Sequence, residues 1–153
     1  MTRGTAPMDP LLAALEQAFA VYRQEIEACE KKSRPTDGLL GFGHSLKDDS
    51  CHDRFDGRVE QAVRDIRSAG PSSETAGQAV RMLILRDDGP AWPLAAQWML
   101  RAVERHSTAL IPLLDAAAAA ALEKEYAARY PRWDRLPAQK EVLKALKLRK
   151  ETP

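Results

Sequence analysis

Apolar residues recur along this chain at spacings of three and four, the period of an α-helix with one buried stripe. Leu12, Leu15, Phe19, Tyr22, Ile26 and Cys29 form an unbroken seam of this kind. Asp9 stands before it as N-cap and Pro10 at the first helical position, where a missing N–H costs nothing. The seam predicts a first helix from Pro10 to about Lys32, closed by Lys31 and Lys32 at the negative end of its dipole and by Ser33-Arg34-Pro35. No such period holds over residues 34 to 49, where glycines stand at 38, 41 and 43, and a long loop is expected there.

Ser50 and Asp53 have the spacing of a capping box, which predicts a second helix from Ser50. Cys51, Phe55, Val59, Ala62, Val63 and Ile66 lie on its inward face, and Gly70-Pro71 stops it. On that geometry His52 and Asp56 point to solvent. Ser72, with Glu74 in the first turn, opens a third helix through Ala76, Ala79, Val80, Met82, Leu83, Ile84 and Leu85, expected to end near Asp87-Asp88-Gly89. A fourth follows Trp92-Pro93, with Ala96, Met99, Leu100 and Val103 inward, and reaches about His106 before Pro112 breaks the path. Asp115 caps a fifth through the alanines 116 to 121, ending at Tyr130-Pro131. The sixth starts near Pro137, with Val142, Leu143 and Leu146 opposite Lys140, Lys144 and Lys147. No strand-like alternation competes, so the fold class is all-α: a single-domain bundle of five or six helices with a long loop between the first two. The ends, 1–8 and 149–153, are expected to be loose.

Composition bounds the function more than it names it. The 153 residues are 44% hydrophobic and 29% charged, the balance of an ordinary globular domain. The first ten residues lack the apolar core of a signal peptide, and every later apolar run meets charge well before a bilayer is crossed. A cytoplasmic protein with no membrane partner is the expectation. Two cysteines rule out a four-cysteine zinc framework within one chain. The net charge is +1, yet from Arg129 onward eight basic residues face three acidic ones, so the tail is basic and the body acidic.

Three function classes follow. His44, Cys51 and His52, with one of Asp48, Asp49, Asp53 or Asp56 as the fourth ligand, have the donor types of a tetrahedral site for zinc or another transition metal. No cofactor other than zinc is expected. Adjacent Cys51 and His52 diverge by about 100° on a helix, so this set needs His44 to fold back toward one of them. Asp48, His52 and Asp56, at i, i+4 and i+8, share a face only if the second helix begins before Ser50. A cysteine nucleophile at Cys51, with His44 or His52 as base, is opposed by Asp48, Asp49, Asp53 and Asp56, which disfavour a thiolate. No phosphate-binding loop, dinucleotide fingerprint, GxSxG or HExxH pattern occurs, and no catalytic residue is assigned. His106 reads as a cation at a helix C-terminus.

Nucleic acid, or another acidic partner, is the second class. Arg132, Arg135, Lys140, Lys144 and Lys147 would carry it. The third and leading class is a non-enzymatic protein-interaction module of the adapter or inhibitor type. Its partner-binding candidates are Trp98, which lies off the inward face of helix four, with Asp48 and Asp49. The unbroken seam of the first helix also suggests a homo-oligomer.

Overall fold

The computed structural model describes residues 9–32, 43–85, 104–131 and 135–152, and their side chains except over 26–32 and 43–50. Every regular element among them is helical: α1 (Pro10–Lys32), α2 (Gly43–Ser68), α3 (Ser73–Ile84), α4 (104–110), a 3-10 turn (Ile111–Leu113), α5 (Ala116–Arg129) and α6 (Pro137–Glu151). The all-α bundle read from the periodicity is what the chain forms.

Local chemistry explains the boundaries. Leu11 N–H donates to the Asp9 carboxylate at 2.9 Å at the start of α1. Ser72 Oγ accepts from Thr75 N–H at 3.1 Å to open α3, and Asp115 accepts from Ala118 N–H at 2.8 Å to open α5. Ahead of α6, Leu136 N–H donates to the Gln139 side chain at 2.9 Å, so a residue inside the first turn covers a donor that Leu136 itself cannot cap.

Several boundaries differ from the expected ones, and α3 closes at Ile84, with Leu85 as its C-cap, short of the expected end near Asp87-Asp88-Gly89. α2 begins at Gly43, so positions 43 to 49 are helical; the rest of the expected loop lies outside the described residues. No glycine or proline interrupts the run from His44 to Ser50, and extending an anchored helix costs far less than nucleating one, which overrides a cap at Ser50. α4 likewise continues past His106 to residue 110, and Pro112 is absorbed in the 3-10 turn. At the other end α6 stays helical through Glu151, and Arg149 is tied by its Nε to the Leu114 carbonyl at 2.6 Å rather than loose.

Packing pairs α1 with α2 and α5 with α6, each antiparallel, while α3 touches α1, α5 and the 3-10 turn. Phe55 of α2 sits under two rings of α1: it stacks on Tyr22 with centroids 4.1 Å apart and meets Phe19 edge-on at 5.3 Å. α3 and α5 run side by side in the same direction, as shown by Ser73 Oγ accepting from Asp115 N–H at 2.9 Å and by the Arg81–Glu125 ion pair one end further along. Fully buried Ala76, Ala79 and Ala119 belong to these two helices. The seam of α1 is consumed inside the chain: Leu12, Leu15, Phe19 and Tyr22 are all buried in one core with α2 and α3. That part of α1 is therefore no self-association face in this fold; Ile26 and Cys29 lie among the side chains not described.

Candidate functional site

Three places gather chemistry. The first joins α1 to α2. Glu25 receives Arg58 through two bonds, Nη1 at 3.1 Å and Nη2 at 3.3 Å, and Arg54 Nε at 3.1 Å. The bond from Arg58 is the main reason the Glu25 carboxyl lies below its ordinary pKa, and burial opposes it. One turn along, the Tyr22 hydroxyl and His52 Nδ1 share a 2.7 Å hydrogen bond inside the core. Burial pushes the Tyr22 phenol above its usual value, so it stays protonated at neutral pH. His52 is buried, contrary to the solvent-facing position expected of it. The polar end of Tyr22 gives the imidazole a hydrogen-bonded place in the interface.

Cys51 is also buried, as its periodicity indicates, but it is disulfide-bonded. The sequence holds one other cysteine, Cys29. Neither a thiolate ligand nor a nucleophile is present at Cys51 while that bond stands. Arg54 Nη2 lies 3.5 Å from Cys51 Sγ, so the immediate charge is positive, although four aspartates surround the cysteine in sequence.

The second place links α2 to α4. Asp56, half-exposed, accepts from His106 Nε2 at 2.9 Å and pairs with the Arg105 guanidinium. His106 is thus a buried interhelical tie and not a cap at a helix end. A carboxylate holding an imidazole is the form of an acid–base pair. The adjacent hydroxyl, Ser107 Oγ, is spent on the Glu104 carbonyl at 3.2 Å.

His52 and Asp56, two members of the expected zinc set, are thus engaged with different partners, Tyr22 and His106. Among the described residues no group of three His, Cys, Asp or Glu side chains stands close enough to hold a metal ion. The side chains of His44, Asp48 and Asp49, and residues Trp98 and Arg132, lie outside the described parts.

The third place was not anticipated. An open groove of about 450 Å³ runs between the 3-10 turn and the end of α6, lined by Thr108, Ile111, Pro112, Ala145, Leu148, Arg149 and Thr152. Leu148 is 66% exposed, while Val142 and Leu146 of the same helix are buried. It lies two residues beyond Leu146 and so roughly 200° around the helix, out of phase with the buried stripe. That mismatch was the available sequence signal, and nothing nearby in sequence tied it to Ile111 and Pro112. The polar groups of the groove serve its own backbone: Thr108 Oγ1 donates to the Arg105 carbonyl at 2.9 Å and Thr152 Oγ1 to the Leu148 carbonyl at 2.8 Å. What the groove presents is mainly carbon.

The basic residues of the tail divide by face. Arg135 Nε donates to the Tyr130 carbonyl at 2.9 Å, and Lys150 pairs with Glu123 of α5 at 2.6 Å, which raises the lysine pKa. Lys140, Lys144 and Lys147 share the outward side of α6 and are exposed. No family model, no curated protein and no solved structure matches the chain. No helix among the described residues is long and apolar enough to cross a membrane.

Proposed function

We propose that the protein is a protein-interaction module of the adapter or inhibitor kind, and that it docks a partner chain on the groove beside α6. The observation that supports this is Leu148, 66% exposed on the rim of a groove walled by Ile111, Pro112 and Ala145. An apolar residue that the helix could have hidden, placed beside other exposed carbon in a concave surface, is the arrangement that gains most from being covered.

The test is affinity purification with the full chain and with Leu148→Glu, both checked for folding by circular dichroism and thermal melting. Leu148 touches solvent, so the variant keeps the wild-type melting behaviour within about 0.5 kcal/mol. A partner that the wild type enriches, that binds it again from purified components, and that the variant loses is the expected result. Equal recovery of every partner by both proteins removes this reading.

A further inference from the structure

We infer that the segment docking in this groove is an acidic peptide carrying an apolar anchor, which rests on the reading of the groove as a docking face. The charge around the groove carries it. Arg149 is the one charged residue in the lining, and no carboxylate lines it. Helical geometry places Lys144 one turn before Leu148 on the same side, with Lys140 a further turn back; Lys147 lies about 100° around the helix from Leu148, away from the groove. All three lysines are exposed, and among the described residues no carboxylate stands within ion-pair distance of them. Three residues after Lys147 and about 60° further round, toward α5, Lys150 pairs with Glu123. α6 thus pairs a cation where it faces α5 and leaves Lys144, with Lys140 a turn behind it, without an ion pair on the edge that carries Leu148.

A partner covering the groove must place apolar side chains against Pro112, Ala145 and Leu148, because Ile111 is buried beneath them and the two threonine hydroxyls are already spent on carbonyls. Its flanks then run past the lysine row, where carboxylates gain complementarity and a faster encounter. A nucleic acid could use the lysines alone. Its phosphates have no use for carbon walls, and no aromatic side chain lines the groove to stack a base. Apolar wall and cationic rim together select a peptide with both features, in the manner of short segments recognised by a groove.

The experiment is selection of a displayed library of random peptides of about 12 residues on the full-length protein. Binding of the selected peptides is then measured by fluorescence anisotropy to the wild type, to Leu148→Glu and to Lys140→Glu/Lys144→Glu, with a single-stranded oligothymidylate of similar length as competitor. Expected are peptides enriched in Asp and Glu around a shared apolar position. Their affinity falls about tenfold or more in each variant, and falls again between about 50 mM and 500 mM salt. Peptides that depend on Leu148 but lack acidic enrichment, and that bind the lysine variant normally, overturn the inference while leaving the docking face intact. Peptides indifferent to Leu148→Glu overturn both. Lysine-dependent binding of the oligonucleotide with no acidic peptide selected overturns it in favour of a nucleic-acid partner.

Discussion

Glu25 is the residue on which the pairing of α1 with α2 is most exposed to pH. Its carboxylate accepts from both Arg54 and Arg58, and its pKa in the folded chain is lowered. A lowered folded pKa means that the charged form is favoured by folding. The stabilisation is therefore present above the ordinary glutamate pKa of about 4.3 and is lost as pH falls through the lower folded value. Both arginines are substantially solvent-exposed, so screening keeps the effect to about 1 kcal/mol at most. Glu25→Gln should lower stability to chemical denaturation at pH 7, with the gap to wild type closing below about pH 4. A gap that persists unchanged into acid would mean that the ion pairs do not cause it. At this scale the sequence was informative about residue type and silent about partner: Tyr22 read as one more seam residue and His52 as a solvent-facing candidate ligand until α1 and α2 were laid side by side.

At the scale of the helix, two glycines make opposite predictions. Gly57 lies within α2, is exposed, and a Cβ built there meets nothing within 4 Å. Gly57→Ala should therefore stabilise the protein by about 0.5–1 kcal/mol, since glycine in a helix carries an entropy cost with no compensating contact here. Gly70, just past the end of α2, has φ +60°. An alanine there meets no neighbour but must adopt the left-handed conformation, so Gly70→Ala should cost about 1 kcal/mol. Thermal melts of the two single variants decide both signs. Most element boundaries were legible because they depend on neighbours in sequence: Pro10, Ser72, Asp115 and Pro137 each act within one turn. Ser50 misled for the same reason. It carries a sound local cap signal, and the tertiary anchoring of α2 was what let the helix run on toward its N-terminus.

For the whole molecule, α3 is, among the described residues, an element common to both halves, because it touches α1 as well as α5 and the 3-10 turn. Leu83, buried in α3, should cost about 2–5 kcal/mol when replaced by alanine. Hydrogen exchange read by mass spectrometry should then show α1–α2 and α5–α6 losing protection together, as one cooperative unit. Loss confined to one helix pair would show that the bundle is two units that merely lean on α3.

The period of the apolar residues was enough to settle that the chain is all-helical and which residues form much of its core, because amphipathicity repeats within a few residues and needs no distant partner. The packed fold alone decided where that core ends. Leu148 and Pro112 become one surface only when α6 lies across the 3-10 turn, Asp56 and His106 meet only across α2 and α4, and the seam of α1 is closed by α2 instead of a second chain. Each is a contact between residues far apart in sequence, whose apposition follows from how helices pack and not from the spacing along any one of them.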